Sequence, residues 1–261
     1  MSKEQKNKIT IQDFDLFYDI VKAISKFADG AKINVNQSGL TIHCKNSVAR
    51  CTFTSNALVS VDELSFVITE LQTFVKLMQT VKDLHEGDYS TLKFSLDGND
   101  IRFSSKKTKL KLITKKEELI TQWISQAFNT PLTPVFEFNT SSDYIKRVNS
   151  HSYILSDPNE LRIYLALNPE MENNTIYATL GNNSNNMNNS LTMKFGLVTF
   201  GKLNDRVLTL DLERLNIFNM VPSNLINIQL MDKNVLVSNI KLNGKNNTYA
   251  NLTIYNSLRK S

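Results

Sequence analysis

Three histidines and two cysteines are the chain's entire stock of imidazole and thiol chemistry. His43 and Cys44 are adjacent, which invites a Cys–His nucleophile. They fall in an alternating segment, where neighbouring side chains leave opposite faces, so they cannot meet. Cys44 shares the apolar side with Leu40 and Ile42 and reads as a core residue. His85 and His151 stand alone. Glu117-Glu118 is an acidic pair in a charged stretch whose side chains need not converge, and Ser104-x-x-Lys107 is a chance match in a lysine-rich run. Gly-x-Ser-x-Gly, P-loop, Gly-x-Gly-x-x-Gly and His-Glu-x-x-His patterns are absent. Two Cys and three His build no zinc framework unless carboxylates join them. Eight glycines in 261 residues also argue against a glycine-rich nucleotide site. No catalytic residue, metal or cofactor is expected.

The residues left to do chemistry are bases. Lys and Arg total 30 against 25 Asp and Glu, a formal charge of +5, which permits a polyanionic partner without requiring one. Several bases fall on the polar faces of amphipathic stretches. In Asp13–Phe27 the apolar positions Phe14, Phe17, Val21, Ile24 and Ala28 recur at helical spacing. Leu16, Ile20 and Phe27 widen that face, and Asp15, Asp19, Lys22 and Lys26 remain outside. Acids come early and bases late, as the helix dipole favours. That stripe is either a solvated face tuned for helix stability or a phosphate-contacting one. Glu70–Asp83 exposes Gln72, Lys76, Gln79 and Thr80. Ser141–Ser152 exposes Lys146, Arg147, Asn149 and Ser150. Asp211–Met220 exposes Glu213, Arg214 and Asn216. Bases among neutral polar residues, without interleaved aromatics, suit phosphate contacts rather than base reading. DNA bound this way is bound without regard to sequence.

The elements that hold these faces form a repeat. Ser90–Ser104 alternates at Leu92, Phe94 and Leu96, turns at Asp97–Asp100, and resumes at Ile101 and Phe103. Asn224–Ser238 alternates at Ile226, Ile228 and Leu230, turns at Met231–Asn234, and resumes at Val235 and Val237. Both are hairpins, matched at one offset. Before each lies a short strand and a helical stretch, Glu63–Val81 and Leu208–Val221. Upstream, Ser38–Ile42 and Asn159–Ile163 share spacing. The unit of helix, strands, helix, hairpin and closing strand therefore occurs twice. The sequence predicts domains at 1–113 and 135–261 joined by a connector at 114–134, which is charged first, apolar in its middle and bounded by proline. Asn182–Asn189 is a polar, low-complexity loop.

This order of elements resembles the DNA sliding clamps, the family of proliferating cell nuclear antigen and the phage clamps. Three short segments carry the likeness. Phe17–Ala28 leads through Ile33–Val35 into Ser38-Gly39-Leu40-Thr41-Ile42, similar to the family's strand after its first helix. Val221-Pro222-Ser223-Asn224-Leu225 is similar to its proline-containing turn, and Tyr249–Tyr255 to its closing strand. The resemblance implies an α+β fold of two similar clamp domains, each with two helices packed on antiparallel sheets, assembling into a ring of three copies. The ring would encircle duplex DNA and tether the replicative polymerase, with a clamp loader as a further partner. The helix bases Lys22, Lys26, Lys76, Lys146, Arg147 and Arg214 would face phosphates. A partner peptide would dock beside the connector at Val48, Ile120, Trp123, Ile124, Pro222, Ile254 and Tyr255. Trp123 is either an anchor there or a connector residue packed on its own domain.

Two features depart from the family. Many cellular clamps are acidic, and this chain is basic. Lys106, Lys107, Lys109, Lys111, Lys115 and Lys116 also crowd the closing strand of the first half. They either guard an edge against wrong pairing or meet acids such as Glu170 and Glu172 of a neighbour. The alternative function is a viral processivity or late-transcription accessory factor of the same fold that forms no ring. A third reading is an interaction module that does not bind DNA. The polar N-terminus and the lack of a run of roughly 20 apolar residues predict an intracellular protein with no membrane partner. Cys44 and Cys51 fit a reducing compartment, a single bridge being the alternative. Richness in Asn, Lys and Ile points to an AT-rich genome, most simply a bacteriophage, whose protein would work in the host cytoplasm.

Overall fold

The structure is a computed structural model. It describes residues 7–11, 14–26, 28–36, 39–44, 47–53, 58–60, 64–85, 93–97, 100–104, 109–113, 131–151, 162–167, 174–180, 191–201, 208–211, 218, 225–243 and 249–257. Two compact units emerge. One comprises Met1–Gln126 and Lys241–Thr253, the other Ala127–Ile240 and Ile254–Ser261.

The first unit begins with β1 (Asn7–Ile11), α1 (Phe14–Ile24), β2 (Ala31–Asn36), β3 (Gly39–Cys44) and β4 (Ser47–Phe53). It continues with β5 (Leu58–Ser60), β6 (Leu64–Ile68), α2 (Leu71–His85), β7 (Lys93–Asp97), β8 (Asp100–Ser104) and β9 (Lys109–Ile113). One antiparallel sheet runs β5-β1-β7-β8-β9, and β6-β2-β3-β4 are neighbours in a second. The sequence-predicted hairpin is β7–β8, closed by the pair Asp97↔Asp100. In β2, Ala31, Ile33 and Val35 are buried while Lys32 and Asn34 are half-buried, the alternation of a strand with one face on a core.

Aromatic rings join the layers of this unit. Phe14 of α1 and Phe74 of α2 both meet Phe103 of β8, with centroids 6.4 and 6.2 Å away, and Phe74 also meets Phe66 of β6 at 6.3 Å. Burying one such ring stabilises by about 1.5–3 kcal/mol. Cys44 is buried beside Leu40 and Ile42, as its place in the alternation predicts.

The second unit contains β10 (Pro134–Thr140), α3 (Ser142–His151), β11 (Arg162–Leu167), β12 (Thr175–Leu180), β13 (Leu191–Gly201), β14 (Leu208–Asp211) and β15 (Ile226–Met231). β16 (Val235–Asn243) and β17 (Tyr249–Ser257) close the chain. The order here is β14-β11-β12-β13-β10-β15-β16. The second predicted hairpin is β15–β16, with Leu230 opposite Leu236. Phe136, Phe138 and Phe195 form its aromatic core at centroid spacings of 6.0 and 6.1 Å, with Ile145 and Val148 of α3 also fully buried.

β13 serves two neighbours. Its first half pairs with β12 and its second half with β10, and the register slips in both ladders. Gly196 sits at this change: a Cβ there would lie 2.4 Å from the Asn139 carbonyl oxygen. Thr140 Oγ1 donates to the Phe195 carbonyl and ties the next strand to the same place. No described helix is long and apolar enough to cross a membrane.

Candidate nucleic-acid interface

Each described helix buries an apolar stripe, which leaves its bases on the opposite side. On α1 the residues Phe14, Phe17, Ile20, Val21 and Ile24 are buried, whereas Asp15, Asp19 and Lys22 are half-buried and Lys26, just beyond the helix, is exposed. Leu71, Phe74, Met78 and Val81 anchor α2, leaving Gln72, Lys76 and Thr80 exposed. Ser141 starts α3 by accepting the Tyr144 N–H on its Oγ at 3.4 Å. Ile145 and Val148 then face inward, and Lys146 and Arg147 are exposed. Lys146 has only a loose partner in Asp143, at 3.9 Å on the same exposed surface, and such a pair holds a side chain weakly.

The first unit adds a basic residue that the sequence reading did not single out. Lys82 of α2 places Nζ 2.8 Å from Asp15 Oδ1 on α1 and 4.5 Å from the centre of the Tyr18 ring. Lys22 lies over the same ring at 5.4 Å. Two cations thus share one aromatic ring that is itself buried. Asp15, Tyr18 and Lys22 lie on one helix and Lys82 on another, so no single helical period reveals the cluster.

α2 and α3 end alike. His85 Nδ1 lies 2.8 Å from the Val81 carbonyl oxygen, and His151 Nδ1 lies 2.7 Å from that of Arg147. A carbonyl only accepts, so each Nδ1 carries the proton and satisfies a last-turn carbonyl. His151 Nδ1 also lies 3.1 Å from Ser150 Oγ, but that hydroxyl donates to the Arg147 carbonyl at 2.9 Å, so the contact belongs to the helix end. Among the described residues no group of three or more His, Cys, Asp or Glu could hold a metal ion.

The remaining expected positions fall as follows. Arg214, Ile120, Trp123, Ile124 and Pro222 lie outside the described residues, as does most of the predicted fourth helix. Val48 is on β4, paired with His43. Ile254, expected at a surface pocket, is 1% exposed: alternation along β17 turns Leu252, Ile254 and Asn256 inward and leaves Tyr255 half-buried. In the lysine cluster, Lys109 and Lys111 are exposed on β9. Lys111 Nζ meets Asp100 Oδ2 of the adjacent strand at 2.8 Å, and Arg102 stands 3.6 Å from the same oxygen. The hydrogen bond from Lys111, helped by its charge and by Arg102, holds the Asp100 carboxyl below the usual carboxylate range. Lys111 therefore meets an acid of its own sheet. Lys106, Lys107, Lys115, Lys116, Glu170 and Glu172 are outside the described residues.

The second unit has an acid held by neutral donors. Glu137 of β10 accepts from Gln229 Nε2 at 2.8 Å, Asn227 Nδ2 at 2.9 Å and Thr199 Oγ1 at 3.0 Å. These bonds, Gln229 first and Asn227 next, outweigh partial desolvation and keep its carboxyl below the usual range.

Antiparallel sheets in two units, with helices that bury one side and carry bases on the other, define a clamp-type α+β fold. Solved structures carry the same fold over the whole chain. Proliferating cellular nuclear antigen from Entamoeba histolytica matches with TM-score 0.65 and 14% identity, covering 98% of each chain. The structure of the C-terminal region of FEN-1 bound to A. fulgidus PCNA matches at 0.63 and 12%, covering 97% of this chain and 99% of that one. The PCNA2–PCNA3 complex from Sulfolobus tokodaii matches at 0.62 and 14%, covering 98% and 99%. No protein-family model matches the sequence, and no curated protein matches it either.

Proposed function

We propose that this chain is a DNA sliding clamp: copies close into a ring around duplex DNA and tether a replicative polymerase. One observation carries the reading. A chain with a full-length clamp fold exposes Lys76, Lys146 and Arg147 on helices whose other faces are buried. The mechanism is topological. A closed ring cannot fall off the duplex, while individual phosphate contacts exchange with salt ions and let it slide. Tethering raises the local concentration of polymerase at the template. No step in this mechanism requires a catalytic residue.

In this reading three copies form the ring, and 1–113 and 135–261 are its two domains with 114–134 as connector. A loader opens it, and Lys22, Lys26 and Arg214 join the phosphate contacts. A partner peptide docks beside the connector, near Val48, Ile120, Trp123, Ile124, Pro222 and Tyr255. Ile254 would support that site from beneath. The Asn- and Lys-rich composition supports a viral source.

The test is primer extension on primed circular DNA with the cognate polymerase, a loader and ATP. The expected result is longer products per binding event, lost when the circle is linearised and the ring can slide off. Unchanged product length rejects the tethering role. Sedimentation should give three times the 29.7 kDa chain mass, and a concentration-independent monomer rejects the ring.

A further inference from the structure

The outward face of the sheet in the second unit carries an apolar strip around a fixed anion. Phe200 lies directly opposite Glu137 in the β10–β13 ladder, and Leu197 opposite Asn139. Paired residues in an antiparallel ladder share a face. Val135 precedes Glu137 and Asn139 on β10, where the ladder to β15 slips, and is exposed as well. Phe200 is 55% exposed, Leu197 48% and Val135 40%. The opposite face of β10 is spent on the core, where Phe136 and Phe138 are buried. The strip therefore contributes nothing to that core.

The anion is held in place rather than neutralised. All three groups bonded to Glu137 are neutral donors, so its charge is not cancelled. Its Oε1 accepts two of these bonds and its Oε2 only one, although a carboxylate offers about four acceptor sites. Oε2 thus keeps acceptor capacity, and the exposed Phe200 is the ladder partner of Glu137 on the neighbouring strand. That combination attracts a cation twice, through the carboxylate and through the ring face. It repels phosphate, which sets this surface apart from the helix faces that carry Lys76, Lys146 and Arg147.

The geometry points to a docking surface for a partner protein's extended segment, one that places a lysine or arginine on Glu137 and an apolar side chain against Phe200 and Leu197. The charge complementarity selects this occupant over nucleic acid and over anionic lipid. The site lies wholly within the second unit and does not depend on ring formation.

The probe is a random 12-residue peptide display library panned on the full-length protein. The expected result is enrichment of peptides with a basic residue within a few positions of an aromatic or aliphatic one. A synthetic peptide of the enriched sequence should lose at least about tenfold in affinity for F200S. It should lose severalfold for E137Q, with a weaker salt dependence, because the screened ion pair is gone. L84S removes an exposed leucine of α2 (51% exposed) and should bind as the parent does. Circular dichroism confirms that each variant is folded. Failure to enrich any peptide, enrichment of acidic peptides, or equal binding to F200S and the parent overturns the proposal.

Discussion

Lys82 crosses from α2 to α1, where its ammonium lies 2.8 Å from the Asp15 carboxylate. Within the proposed clamp this makes Asp15 an internal competitor for a base that could otherwise meet a phosphate. Both side chains are largely shielded, at 23% and 18% exposure, so the pair is better defined than a fully solvated one. Replacing Asp15 by Asn should release Lys82. Duplex DNA affinity should rise, and the slope of log affinity against log salt should steepen by about one contact. Stability should fall by about 1 kcal/mol or less. Fluorescence anisotropy at two salt concentrations, with a urea melt, measures both. Unchanged affinity would show that Lys82 does not reach DNA.

Lys146 and Arg147 are exposed on α3 while Ile145 and Val148 hold the helix to its sheet. Changing both bases to alanine should therefore spare the fold. Binding should weaken to a similar degree on unrelated DNA sequences, and the salt slope should shrink by about two contacts. Sequence-dependent loss would mean that the helix reads bases.

Glu137 gives a pH dependence with a definite sign. Its folded-state pKa is depressed by donors from Gln229, Asn227 and Thr199. It therefore stabilises the fold above the ordinary glutamate pKa, and this contribution is lost as pH falls through the lower, folded value. Urea midpoints measured between neutral pH and pH 3 should fall more steeply for the parent than for Glu137→Gln. Parallel curves would remove Glu137 from the acid sensitivity.

Gly196 is fixed by a close approach of two backbones. An alanine Cβ would stand 2.4 Å from the Asn139 carbonyl oxygen, so β13 or β10 would have to move. Gly196→Ala should cost about 2–4 kcal/mol, among the larger single-residue effects. A near-parental urea midpoint would show that the strands part easily there.

What the sequence revealed, and what it hid, follows from the range of each interaction. Hairpins β7–β8 and β15–β16 were legible because alternation and the turn lie within a dozen or so residues. The buried stripes of α1, α2 and α3 were legible for the same reason, as was the burial of Cys44. The Glu137 cluster was not: its donors lie 62, 90 and 92 positions away, on β13 and β15. Nothing in the sequence singles out Lys82, because Asp15 becomes its neighbour only after two helices pack. Resemblance alone placed Ile254 at the partner pocket, while its own alternation along β17 turns it inward. Nor did alternation foresee β13, where the register slips and one strand serves two ladders.

The assignment of Lys241–Thr253 to the first unit has a consequence for biosynthesis. The first 126 residues leave the ribosome long before the segment that completes their unit. Because the second unit also reclaims Ile254–Ser261, neither unit is one continuous stretch of chain. A nascent chain therefore holds all the residues of either unit only once its last strands have been translated, and domains generally fold as units. A stop codon near residue 240 would therefore injure both halves, including the one whose helices were made first.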